Sequence, residues 1–266
     1  MNEIIIQILL GIVQGITEWL PISSSAALTL INTNFLKILD IDVLIRNALL
    51  LHLGTFFAAM IYFRKDIWML LKGLANPDKA GPSTKKVLVF LIVSTIISGI
   101  VGILIFKTII SFQSQLEITR KSIMFFVGIL LFLTGIIQIK VKTIGVRSLM
   151  DLKIYDAVIV GFCQGLAAIP GLSRSGITVS TLLLNKFDDT TALRLSFLMS
   201  LPIVLIANIV LNYNQLTFSN TAIYGLVASF VFGLLTIHGL MKLSKKINFG
   251  WFVILFSILM ILGVLI

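Results

Sequence analysis

The sequence predicts an all-α polytopic membrane protein built as an inverted repeat, each half a re-entrant helical hairpin followed by three transmembrane helices, with six spanning helices in total. Three observations carry that prediction. Of the 266 residues, 58% are hydrophobic and only 12% charged, with a mean hydropathy of +1.08; an ordinary soluble domain carries about 25% charged residues. Apolar runs recur along the chain at the roughly 20 residues needed to cross a hydrocarbon core of about 30 Å. Two regions that break this pattern share a motif, "GIVQGITEWLPISSS" at 11–25 and "GFCQGLAAIPGLSRS" at 161–175.

Taken in order, the start "MNEIIIQILLGIVQG" has no basic n-region and no small-residue cleavage site, so it is expected to belong to the fold rather than to a removable signal. Residues 4–20 and 24–36, parted by Pro21 and three serines, form the arms of a first hairpin, and 154–169 and 176–185, parted by "PGLSRSG", form a second. At 1.5 Å per residue such arms reach only about 15–26 Å, short of the core thickness. Non-helical backbone at membrane depth is tolerated only where protein or a watery cavity covers it, so both tips should point inward. Full-length apolar segments follow at about 43–63, 87–106 and 122–139 after the first hairpin, and at about 192–212, 221–241 and 249–266 after the second. The chain is then one integral membrane domain, 1–266, with repeat 1 over about 1–140 and repeat 2 over about 150–266.

Three spanning segments per half is an odd number, which turns the second half upside down relative to the first. Loop charge agrees. Loops 64–86, 140–153, 186–194 and 242–246 hold 15 Lys and Arg, whereas 37–46, 107–121 and 212–220 hold five. Short loops rich in Lys and Arg stay cytoplasmic, which puts the first hairpin on the outer side, the second on the cytoplasmic side and both termini, Ile266 included, outside. The same orientation accounts for the net charge of +10, so nucleic acid is set aside as a partner. A single cysteine, Cys163, excludes an internal disulfide, and no His/Cys cluster has zinc-like spacing.

Glu18 and Arg174 are the only Asp, Glu, Lys or Arg side chains well inside these membrane-depth segments. Each costs about 2.5–3.5 kcal/mol on insertion scales, which marks a functional site unless the two simply lock the hairpins as an ion pair. Gln14 and Glu18, four apart, share a helical face that could hold a divalent cation, orient a water, or be satisfied by neighbouring helices. Ser23, Ser24 and Ser25 open the second arm of one hairpin, and Ser173 and Ser175 that of the other. Serines at such places cap helices. Two facing helix N-termini with Arg174 between them also make an anion site suited to phosphate oxygens. Gly171 and Gly176 let backbone approach a ligand or serve the turn. His52, in "LLLHLGT", is expected to be a hydrogen-bonded structural residue, and His238 lies near a cytoplasmic helix end. On residues alone, this pattern also fits a secondary transporter.

"QGITEWLPISSS" and "PGLSRSGITVS" (170–180), followed by "SFLMSLP" (196–202), resemble the signatures of the undecaprenyl-diphosphate phosphatase family, the bacitracin-resistance phosphatases, and the similarity covers essentially the whole chain. The resemblance implies hydrolysis of a polyprenyl diphosphate to the monophosphate, recycling the lipid carrier for cell-envelope glycan synthesis. It implies a site in the plasma membrane that faces the outer side and is aided by Mg2+ or Ca2+. By position it implies metal or acid–base work for Gln14 and Glu18, a nucleophile at Ser24, and phosphate binding by Ser173, Arg174 and Thr178, with Ser23, Ser25 and Ser175 beside them. Where the family continues Ser-Ser-Thr-Gly-His, this chain reads Ser24-Ser25-Ala26-Ala27, so alanine stands where the family has histidine. Expected partners are the lipid substrate and membrane lipids, with a homodimer left open. The competing expectation is a transporter or flippase of a lipid-linked or small organic anion, and Ala27 keeps a third, a binding protein without turnover, in view.

Overall fold

A computed structural model of the chain describes residues 2–20, 22–34, 36, 41–113, 120–140, 145–169, 172–212, 221–243 and 249–262. Pro21, Pro170, Gly171 and Ile266, named above, lie outside the described residues, as do 114–119, 141–144, 213–220 and 244–248 of the expected loops. Within the described residues the fold is all-helical. The helices are α1 (Glu3–Thr17), α2 (Ser24–Asn34), α3 (Ile41–Tyr62), α4 (Arg64–Ala75), α5 (Pro82–Gln113), α6 (Arg120–Lys140), α7 (Ile154–Leu166), α8 (Arg174–Leu184), α9 (Asp189–Asn212), α10 (Ala222–Leu243) and α11 (Phe249–Leu262).

Each hairpin arm expected from the sequence is a helix, α1 with α2 and α7 with α8, and each of the six expected spanning segments falls on one of α3, α5, α6, α9, α10 and α11. By length and composition Pro82–Ile105, Asp189–Ile209 and Ala222–Lys242 can cross a bilayer, and a fourth candidate is α3 joined to α4 through an 80° bend. The protein is therefore a multi-pass membrane protein in its helix content.

The expected loop 64–86 differs from the structure, because it contains α4. Charged Arg64, Lys65, Asp66 and Lys72 hide an amphipathic period in which Leu70 and Gly73 are buried, Gly73 against Thr84 of α5. Likewise α5 runs through Gln113, into the segment expected to be a loop from 107.

The glycines of the repeated motif set the packing. A Cβ on Gly11 would fall 2.2 Å from the Gly225 carbonyl oxygen, and one on Gly161 2.7 Å from the Ser94 carbonyl oxygen. Small residues at i and i+4 let backbones approach where lipid supplies no hydrophobic drive. Gly11 and Gly15 thus seat α1 on α10, and Gly161 and Gly165 seat α7 on α5.

The same contacts give helix directions. Gly11 meets Gly225 and Gly15 meets Gly233, so α1 and α10 run the same way; α3 joins them, with Leu51 at Gly225 and Ala58 at Gly233. Gly161 meets Ser94 and Gly165 meets Ser98, so α7 and α5 run the same way. The N-terminal part of α9 joins the start of α5, where Arg194 and Leu198 line a small cavity with Ser83, Thr84 and Val87. Just past the end of α3, Phe63 meets Phe197 in the N-terminal half of α9, 6.3 Å between ring centroids.

Between α6 and α7, Arg147 ties the second hairpin together. It donates to both carboxylate oxygens of Asp156 (3.0 and 2.5 Å), to the carbonyls of Asn185 (2.9 Å) and Asp151 (2.8 Å), and lies 4.1 Å from the Phe187 ring centre. Asp156 is fully buried. Its hydrogen bonds push the Arg147 guanidinium above its ordinary value.

Candidate active site

The tips of the two hairpins meet, and they meet at the residues the sequence singled out. Glu18 ends α1, and its Oε1 accepts from Arg174 Nη2 at the start of α8. Its Oε2 accepts from Ser24 Oγ at 2.6 Å and from Gln14 Nε2 at 3.0 Å, and lies 3.2 Å from His52 Nε2. Ser175 Oγ donates to the Leu20 carbonyl at 3.0 Å, a second tie between the tips. Gln14 and Glu18 are buried, 0% and 6% exposed, while Arg174 and His52 are part-buried. A carboxylate at that depth persists because Arg174, Ser24 and Gln14 all donate to it.

Local chemistry explains why the chain turns here. Glu18 still follows the helical backbone, its amide donating to the Gln14 carbonyl at 2.9 Å. Ser23 then takes φ 63°, a left-handed conformation uncommon outside glycine, and its Oγ accepts from the Ala26 amide at 3.3 Å and pairs with Ser25 Oγ at 3.0 Å. Such backbone strain is held at sites that need one geometry. It brings Ser24 back over Glu18. In the second hairpin Ser173 caps α8 by accepting from the Gly176 amide at 3.1 Å, and Thr178 Oγ1 donates to the Arg174 carbonyl at 2.8 Å while pairing with Ser196 Oγ at 2.6 Å. Arg174 is thereby set on a rigid helix start, its guanidinium 5.9 Å from the centre of the Trp19 ring.

Three polar atoms in this cluster are buried without a partner among the described residues, Arg174 Nη1, Gln14 Oε1 and Trp19 Nε1. Buried polar groups are nearly always paired, so orphaned donors and an orphaned acceptor at one place point to a ligand. Arg174 Nη1 suits an anion's oxygen. Gln14 Oε1 suits a cation or a water.

Of the residues expected at the site, Gln14, Glu18, Ser24 and Arg174 touch one another. Ser23, Ser173, Ser175 and Thr178 are buried, and their hydroxyls are engaged in holding the two tips. Ser25 is exposed beside Ser23. Three participants were not anticipated: His52 as a neighbour of Glu18, Trp19 beneath Arg174, and Ser196 behind Thr178. The imidazole had a signal, being itself an ionisable group inside a spanning segment. Trp19 and Ser196 lie inside the motifs "QGITEWLPISSS" and "SFLMSLP", but nothing in their spacing gives these contacts.

Chemically, the cluster offers a hydroxyl hydrogen-bonded to a carboxylate that can take its proton, next to a guanidinium with one free edge. A nucleophile, a base and an anion holder are the groups that phosphoryl transfer requires. Comparison with known proteins points the same way. The family described as bacitracin resistance protein BacA matches residues 7–264. The chain is similar to the undecaprenyl-diphosphatase of Methanococcoides burtonii, 42% identical over 263 residues and 96% of each chain. It is also similar to the undecaprenyl-diphosphatase of Haloarcula marismortui, 34% identical over 94% of this chain and 93% of the relative. A third, the undecaprenyl-diphosphatase of Alkaliphilus metalliredigens, is 35% identical over 95% of this chain and 98% of its own.

Proposed function

Because the chain belongs to the bacitracin resistance protein BacA family, we infer that it is an undecaprenyl-diphosphatase, a membrane phosphatase that hydrolyses undecaprenyl diphosphate to the monophosphate and phosphate. It thereby recycles the lipid carrier for cell-envelope glycan synthesis. The single observation that carries the chemistry is the 2.6 Å hydrogen bond from Ser24 to Glu18, with Arg174 on the other carboxylate oxygen. The transporter reading is not favoured, since carriage of an anion has no use for a hydroxyl poised on a base.

In the proposed reaction the free edge of Arg174 binds the terminal phosphate, and Ser24 Oγ attacks its phosphorus while passing its proton to Glu18 Oε2. The bond from that phosphorus to the bridging oxygen breaks, and undecaprenyl monophosphate leaves with the electron pair. The proton departs from Glu18 with the released monophosphate. The restored carboxylate then takes a proton from the water that attacks the phosphoserine and returns it to Ser24 Oγ as phosphate is freed. Charge stabilisation by Arg174 and the α8 N-terminus is the main contribution, as in phosphoryl transfer generally. Ser173 and Thr178 hold that helix start in place, and Ser23, Ser25 and Ser175 shape the cradle around the phosphate.

A divalent cation, Mg2+ or Ca2+, fits the donors on the first hairpin. Gln14 Oε1 is buried and unpartnered, and Glu18 Oε1 accepts one bond and retains a lone pair. Bound there, it would neutralise charge on the diphosphate, with substrate oxygens and waters completing its shell.

The proposed membrane arrangement is six spanning helices in two inverted repeats, about 1–140 and 150–266, with the site opening to the outer side. Helix directions support it, since α1 runs with α3 and α10 whereas its counterpart α7 runs with α5. The excess of Lys and Arg in loops 64–86 and 140–153 supports the orientation.

The test is phosphate release by purified protein from farnesyl diphosphate and from a longer polyprenyl diphosphate, with and without EDTA. Metal-dependent turnover is expected. Binding of either lipid without phosphate release would reject the phosphatase reading.

A further inference from the structure

Glu18 is gripped from three sides by groups that belong to the hairpins: Gln14 on its own helix, Ser24 on α2 and Arg174 on α8. The fourth grip comes from elsewhere. His52 lies in the middle of α3, its Nδ1 2.6 Å from the Ala48 carbonyl one turn back and its Nε2 3.2 Å from Glu18 Oε2. A carbonyl and an ionised carboxylate can both only accept, so the two contacts place a proton on each ring nitrogen, and the Ala48 contact fixes the ring plane and aims the Nε2–H at Glu18. The chain has only two histidines, and the other, His238, stacks edge-on against Tyr62.

What distinguishes α3 is its anchorage. Ser229 of α10 donates to the Leu51 carbonyl at 2.9 Å, one residue from His52, and a Cβ on Gly54 would lie 1.8 Å from Ser229 Oγ. The helix beneath His52 is therefore packed backbone to backbone on α10. By contrast Arg174 has two tasks in the proposed reaction. It holds Glu18 now and must hold phosphate when substrate arrives, so its grip on the carboxylate weakens just when Ser24 must lose its proton.

We propose that His52 is a positioning residue of this reaction: anchored on Ala48, it keeps Glu18 Oε2 turned toward Ser24 while Arg174 shares its guanidinium between Glu18 and the phosphate. This rests on the phosphatase reading above. The role follows from the place of the ring. Oε2 is the oxygen that Ser24 uses, and among the described residues His52 is the one group on that oxygen supplied by a helix outside both hairpins. Supporting groups of this kind are worth about 10–100-fold in activity when removed, in line with the sensitivity of reaction rates to displacements of about 1 Å.

The experiment compares His52→Leu, His52→Asn and His52→Gln with the parent protein in steady-state phosphate release from farnesyl diphosphate. Glutamine can carry an N–H to Glu18, asparagine is one methylene short, and leucine has no donor. The expected result is a fall in kcat of about 10–100-fold for Leu and Asn with KM held within about threefold, and recovery of a large part of kcat in Gln. A purely structural role would lower the yield of folded protein and leave kcat of the folded fraction intact. Retention of kcat within about twofold in the Leu or Asn variant would overturn the proposal, and so would equal losses in Gln and Leu. The polar pair carries the test if the Leu variant does not fold. If the parent protein releases no phosphate from either substrate, the phosphatase reading itself falls, and the role of His52 in it falls too.

Discussion

Glu18 and Arg174 stand 156 positions apart in the chain and form the ion pair through which the tips of the two hairpins meet. Among the described residues the pair is unequal: the carboxylate is engaged by four side chains, whereas one nitrogen of the guanidinium is buried with no partner. That asymmetry shapes what substitution should do.

Arg174→Lys keeps the charge and loses the planar fork. An ammonium can neutralise Glu18 or meet a phosphate oxygen, but it cannot span both with fixed geometry. Phosphate release is expected to fall by about 10²–10³-fold, the range seen when one donor to a developing charge is lost. Near-normal activity would make Arg174 a structural counter-ion.

Ser24→Ala removes the hydroxyl from Glu18 and leaves the lipid site otherwise intact. The rate of phosphate release should fall by about 10²–10⁴-fold with KM little changed. In the parent enzyme, acid quenching during turnover followed by peptide mass spectrometry should find phosphate on Ser24. A modest loss of rate, without that adduct, would reduce Ser24 to a positioning serine.

Arg147→Ala strands a fully buried Asp156 carboxylate. Breaking a buried pair from one side costs about 3–5 kcal/mol, so the thermal midpoint in detergent should drop clearly. Arg147→Ala with Asp156→Asn should be more stable than Arg147→Ala alone, because the stranded charge is gone. If the two variants melt together, the clamp is not electrostatic.

The orientation can be read at α4. Ala75, exposed at the end of that helix, replaced by cysteine in a Cys163→Ser background, should react with an impermeant maleimide only after the cytoplasmic side is opened. Labelling from outside intact cells would reverse the proposed topology.

Much of this was legible in the linear sequence because the relevant physics is local. Run length placed α3 and α10 within two residues of their expected limits, and the Gln14–Glu18 spacing put both on one face. The helix α4 was not legible because its charges read as a loop, while its amphipathic period becomes decisive only once Leu70 and Gly73 have α5 to pack on. The imidazole at position 52 could be seen, but its contact with Glu18 joins two helices whose relative rotation is set by Gly54 against Ser229 of a third. Nor could spacing tell that Thr178 turns to Ser196 and Ser175 to Leu20, because side-chain partners across helices leave no periodic trace.

The seating of α1 on α10 and of α7 on α5 means that each half of the chain shelters the other's opening arm. Neither half has a complete interior by itself. Cut within 141–144, the chain should yield two fragments that assemble only when made together, each lending the other its missing partner. By the same reasoning, a duplication that produced such a chain would have begun from a polypeptide already obliged to work as a pair, two copies embracing with exchanged arms. Fusion would have added a tether to an association that was there before it.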